Sequence, residues 1–164
     1  MIWDIFVRIF HWCMAGAFIS NYWFLEEGDP PHEWVGYAIL VFIGLRLIWG
    51  FIGTETARFR QFWPTWAKLK AHIQGAPQSL KQPHYGHNPL GALMVLFLLG
   101  SILVCGISGW MQEWDMFWGE DWVQLTHSIS ADIAMIAAGV HVLAVLVVQS
   151  ISKVPLIKQM IFGR

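Results

Sequence analysis

Long apolar runs dominate the chain, at residues 5–25, 34–52, 89–111 and roughly 123–150. Each is close to or beyond the about 20 residues a helix needs to cross a hydrocarbon core. Asp29 ahead of Pro30 and Asn88 ahead of Pro89 supply cap and first-turn chemistry at the heads of the second and third runs. Between these runs, residues 64–76 read as a short amphipathic helix whose Trp66, Lys68 and Lys70 suit a headgroup layer. A proline- and glycine-rich linker, residues 74–89, follows it. The pattern predicts an all-α integral membrane four-helix bundle forming a single domain over residues 1–164. Ala15-Gly16-Ala17 faintly resembles a signal-cleavage site. The first run is nevertheless read as a retained span, because no basic stretch precedes it and Arg8 and His11 lie inside it.

Composition sharpens the class. With 164 residues, 56% hydrophobic and 13% charged, and a mean hydropathy of +0.50, an ordinary water-soluble globule is excluded. Charge then sets the orientation. Arg58, Arg60, Lys68, Lys70 and Lys81 follow the second run, Lys153, Lys158 and Arg164 follow the fourth, and the other two loops carry no lysine or arginine. By the positive-inside rule both termini face the cytoplasm. The outward loops hold Glu26, Glu27, Asp29, Glu33, Glu113, Asp115, Glu120 and Asp121, an acidic face that fits a basic partner as well as plain solvent. Trp23, Trp34, Trp110, Trp114, Trp118 and Trp122 near the outer interface, and Trp3, Trp49, Trp63 and Trp66 near the inner one, form aromatic belts. Cys13 and Cys105 fall on different helices in opposite halves of the membrane, which disfavours a disulfide. Neither sits in a Cys-x-x-Cys-His motif, so covalent c-type heme attachment is not expected.

The candidate chemistry lies in histidines inside these runs, where polar groups are costly and mark function. His127 and His141 are fourteen residues apart on the fourth run. A helix separates such residues by about 21 Å along its axis and by only about 40° in direction, so both face one interior at two depths. In the inferred topology His11 is level with His141 and His32 with His127. Two imidazoles on facing helices at one depth suit a bis-histidine heme, and the chain holds two such pairs. Gly16, Gly36, Gly44 and Gly139 could make room for a porphyrin, though for any one of them ordinary close helix packing is the stronger reading. Arg46, fourteen residues after His32, is placed to meet a heme propionate or to snorkel to the inner headgroups. Arg8 invites the same two readings, with snorkelling the stronger. A single metal cage is excluded for His127 and His141 by their separation.

Trp3 to Trp12 with its Phe10-His11-Trp12 element, the stretch from His32 to Arg46, Gly86-His87-Asn88-Pro89-Leu90-Gly91, and His127 with His141 together resemble the bacterial cytochrome b561 family. That family is similar to the b-type cytochrome subunits of nickel-iron hydrogenases. The resemblance spans nearly the whole chain and implies two heme b groups in a four-helix bundle, with iron ligands at His11, His32, His127 and His141. It also implies quinone as substrate. Bis-histidine iron has no open position, so it passes single electrons. The expected role is an electron-transfer protein with quinol/quinone oxidoreductase activity, linking the quinone pool to a periplasmic partner such as a c-type cytochrome. Candidate quinone contacts are His87 and Asn88 at the head of the third run, and Asp132, which could take a proton or simply pair with a hydroxyl such as Ser130. His72 and His84 read as surface residues. Superoxide oxidation with ubiquinone reduction, or service as the cytochrome subunit of a hydrogenase-like complex, are the alternatives. The absence of cations from the outer loops argues against attracting an anionic substrate there.

Overall fold

The computed structural model describes residues 3–74 and 89–163, apart from the side chains of His72 and Ile73. Every regular element among them is helical: α1 Ile5–Trp23, α2 Pro30–Ile52, a 3-10 turn Glu55–Ala57, α3 Phe59–Phe62, α4 Trp66–Gln74, α5 Pro89–Met111, α6 Asp121–Ser152 and α7 Leu156–Phe162. Three helices, α2, α5 and α6, are long and apolar enough to cross a membrane. α1 is 19 residues long, but Arg8, His11 and Asn21 dilute its apolar character. Large apolar side chains such as Val41, Phe97, Ile136 and Leu143 lie exposed along these helices. On a soluble protein that surface would aggregate; in a bilayer it is solvated by lipid tails. The chain is a multi-pass membrane protein.

Helix ends obey local chemistry. Asp4 caps α1 by accepting the Val7 N–H at 2.8 Å. Pro30 and Pro31 open α2, where their missing N–H groups cost nothing. Asp29 occupies the cap position there with no side-chain cap bond. α2 starts before the apolar run does, and α6 exceeds its run at both ends, because helices continue past the hydrocarbon into the interfacial layer. α4 begins after Pro64 and Thr65, which lie outside the helix. The Gln74–Pro89 linker, apart from its two end residues, lies outside the described residues, as does the proposed Asn88 cap.

Packing runs α1 on α2, α2 on α5 and α5 on α6. The close-packed series is therefore open between α1 and α6. Met14, Phe18, Ile39, Ile43, Ile102 and Ala134 from the four long helices form the central core. A second cluster, Phe59, Phe62 and Ala92, packs the turn after α2 against α5. Gly50 makes this fit: a Cβ there would stand 2.1 Å from the Phe59 ring.

Two tethers hold the basic end together. Asp4 also accepts from Trp49 Nε1 at 3.0 Å and from Thr54 Oγ1 at 2.5 Å, joining the start of α1 to the end of α2. Burial pushes its carboxyl up, but the bonds from Thr54, Val7 and Trp49 and the charge of Arg46 outweigh burial and hold it below the usual carboxylate range. The second tether is Arg8. Its guanidinium donates to the carbonyls of Met160 (3.3 Å) and Ile161, and Trp12 Nε1 donates to Met160 O at 3.4 Å. Arg8 thus satisfies open carbonyls at the end of α7.

Candidate functional site

The four intramembrane histidines come together in the two pairs expected from depth. His11 on α1 and His141 on α6 have ring centres 6.3 Å apart. His32 on α2 and His127 on α6 have ring centres 6.2 Å apart. The first pair lies toward the basic end of the bundle and the second toward the acidic end. Among the described residues, no three of His, Cys, Asp and Glu converge as a metal cage would require.

The spacing can be tested against a bis-imidazole iron. A metal–imidazole bond of about 2.0–2.1 Å on either side, with about 1.1 Å from nitrogen to ring centre, separates the ring centres by roughly 6 Å. Both pairs meet that figure. Room is present as well. A cavity of about 440 Å³ surrounds His32 and His127, within the range that ligand pockets occupy. A Cβ added at Gly16, Gly44 or Gly139 would meet nothing within 4 Å, and Gly16 and Gly139 are exposed. Gly36 is nearly as open, with only Asn21 Nδ2 at 3.9 Å. The four glycines singled out from sequence thus border space rather than tight helix contacts.

His127 is fixed by a hydrogen bond to the backbone of α5. Its Nδ1 lies 2.8 Å from the Cys105 carbonyl oxygen, a contact that requires Nδ1 to carry the proton and leaves Nε2 as the free lone pair. This is how metal-ligating histidines are held. Gly109, one turn further along α5, permits the arrangement: a Cβ there would stand 2.9 Å from His127 Cε1 and 3.0 Å from Nδ1. Sequence reading missed both Cys105 and Gly109, since only the packing of α5 on α6 brings them to the ring. Nδ1 of His11 and of His32 is buried without a hydrogen-bond partner.

Arg46 is 3% exposed, which rules out snorkelling as its resting state. One Nη donates to Ala57 O at 3.2 Å, the guanidinium stacks 4.9 Å from the Phe59 ring centre, and the other Nη is buried without a partner. An unpaired buried guanidinium nitrogen suits an incoming carboxylate. Arg8 is neither unpaired nor snorkelling, being committed to α7. Asp132 bonds to the Tyr22 hydroxyl at 2.7 Å rather than to Ser130, whose own hydroxyl turns back to the Thr126 and His127 carbonyls. Although about 140° from His127 around an ideal helix, Asp132 lines the same cavity. Cys105 is buried and Cys13 exposed. His84, His87 and Asn88 lie outside the described residues.

Helices of this length and apolarity, carrying twin imidazole pairs across their interior, define a membrane cytochrome. The chain matches the prokaryotic cytochrome b561 family over residues 2–163 and belongs to that family. It is accordingly a membrane-bound, heme b-binding cytochrome that transfers electrons. No curated protein and no solved structure matches it.

Proposed function

We propose that the chain is a diheme cytochrome b that moves electrons between the quinone pool and a periplasmic redox partner such as a c-type cytochrome. The observation carrying this reading is the pair of ring separations, 6.3 Å and 6.2 Å, each fitting one iron between two imidazoles. His11 and His141 hold one heme b; His32 and His127 hold the other. When bound, each heme supplies reversible one-electron transfer without an open coordination position. The protein orients the His127 imidazole through Cys105, encloses both groups in an apolar bundle, and offers the unpaired Nη of Arg46 to a propionate of the heme between His11 and His141.

In this reading the whole chain is one domain with four spans, α1 included, in the bacterial inner membrane. Both termini are cytoplasmic, because Arg58, Arg60, Lys68, Lys70, Lys153 and Lys158 flank one end of the bundle. The acidic end then faces the periplasm, where its charge attracts a basic partner. Quinone contacts are drawn from His87, Asn88 and Asp132. To test the function, a short-chain quinol is added to purified, heme-loaded protein, followed by an oxidised soluble c-type cytochrome. Reduction of the b-heme absorption by quinol, then reoxidation by the c-type cytochrome, is expected; hemes inert to quinol and quinone in both directions overturn the quinone link.

A further inference from the structure

We infer that Tyr22 and Asp132, at the seam between α1 and α6, form a binding site for the hydroxyl-bearing headgroup of a membrane-dissolved hydroquinone, selecting it over the oxidised quinone. The inference deepens the quinone reading above and rests on it. Among the described residues, α1 and α6 lack the close backbone packing that joins α1 to α2, α2 to α5 and α5 to α6. Tyr22 and Asp132 bridge the seam by their side chains alone, through the 2.7 Å bond from the tyrosine hydroxyl to Asp132 Oδ1. Both residues are exposed. Their neighbours on the same surface, Ile19 on α1 and Ile129, Ile133 and Ile136 on α6, are exposed and apolar. A carboxylate displayed among such side chains faces lipid rather than water, which is costly unless it has a task. Amphiphiles diffusing in the bilayer reach it sideways.

The same two residues line the cavity that contains His32 and His127. One side of the pair therefore meets the membrane, and the other meets the space beside a proposed redox centre. Electron transfer needs that proximity, and a purely structural interhelix bond does not.

The chemistry of the free atoms chooses the ligand. Asp132 Oδ1 is occupied by Tyr22, and among the described residues no hydrogen bond reaches Oδ2. The atoms left free on the Tyr22–Asp132 pair itself, Asp132 Oδ2 and the lone pairs of the tyrosine oxygen, are acceptors. A quinone presents only carbonyl oxygens, themselves acceptors, and gains nothing from them; a hydroquinone presents O–H donors, and a bond to a carboxylate is among the stronger neutral-to-charged kinds. The apolar body of the ring packs on the membrane side of the pair, against the exposed Ile19, Ile129 and Ile133.

The test uses heme-loaded protein in detergent and two probes of equal chain length. One is an alkylresorcinol, which carries two hydroxyl donors and cannot be oxidised to a quinone; the other is an alkyl-1,4-benzoquinone. Binding is read by equilibrium dialysis, independently of turnover. The native protein is expected to hold the resorcinol at least tenfold more tightly than the benzoquinone. Asp132→Asn keeps the acceptor for Tyr22 but turns an NH2 toward the ligand, so the preference should invert while both heme spectra are retained. Tyr22→Phe should weaken resorcinol binding by severalfold with the folding background of Asp132 unchanged. An unchanged preference in Asp132→Asn, or loss of resorcinol binding in His87→Ala alone, overturns the site. If the native protein carries two b hemes yet binds neither probe, the quinone coupling fails with it while the diheme reading stands.

Discussion

Gly109→Ala is the substitution that most sharply separates a cofactor-holding histidine from a merely buried one. The added methyl would stand 2.9 Å from Cε1 and 3.0 Å from Nδ1 of His127, about half an ångström inside ordinary carbon contact distance. Both atoms belong to a rigid ring held by the Cys105 carbonyl at 2.8 Å, so no flexible end can yield. Either α5 and α6 part, or the ring turns off its rotamer and loosens that bond. Overpacking of this kind costs typically about 1–3 kcal/mol. A metal bond accepts only about 0.2 Å of displacement, so the strain falls on ligation and weakens the heme held by His32 and His127 by roughly 5- to 150-fold. A helix-propensity gain of up to about 1 kcal/mol over glycine offsets part of this in overall stability without relieving the ring. Heme content per chain and a spectroscopic redox titration are the assays, with Gly100→Ala on the same helix as control, since a Cβ there meets nothing within 4 Å. Expected is partial loss or a shifted potential for one heme, with the other unchanged. Two hemes of native content and potential in Gly109→Ala would refute the argument.

Other consequences follow from the same geometry. His11→Ala and His141→Ala should each remove one heme, and His32→Ala and His127→Ala the other, checked by heme content and low-temperature spectra; loss of the same heme from His11→Ala and His32→Ala would show the pairing to be wrong. Arg46→Ala should lower the potential of the heme between His11 and His141, since removing a cation disfavours the reduced form, by an amount on the order of 1 kcal/mol or roughly 40 mV for one electron; an unchanged potential detaches Arg46 from the propionate. Asp4→Ala should lower the thermal midpoint of unfolding in detergent, since losing an N-cap alone costs about 0.5–2 kcal/mol. Because the Asp4 carboxyl is held below its ordinary range, its contribution is present at neutral pH and is lost as pH falls through the acid range. Native protein should therefore lose stability on acidification more steeply than Asp4→Asn, and parallel pH profiles would contradict that role.

How much of this was legible in the sequence depends on the range of the interaction. The pairing of His11 with His141 and of His32 with His127 needed only helix geometry and a topology, both written in apolar run lengths and basic loops. Helix starts at Pro30 and Pro89 were equally local. What the chain order hides is contact between distant segments. Arg8 looked like a snorkelling cation because nothing in residues 156–162 announces a short helix whose carbonyls await a donor. Sequence reading gave Asp4 no structural role; its bonds to Trp49 and Thr54 join segments about fifty residues apart. For Asp132 a hydroxyl partner such as Ser130 was one reading; the hydroxyl it meets is that of Tyr22 on α1, which chain order does not bring near it. Cys105 and Gly109 became visible only when α5 laid its small residues against the His127 ring.

The central claim is that the two imidazole pairs hold two hemes. Its most direct test is a pyridine hemochrome assay with quantitative amino-acid analysis on detergent-purified protein. The account requires two b hemes per chain; a single heme would contradict one of the two pairs, and none would return all four histidines to a structural role.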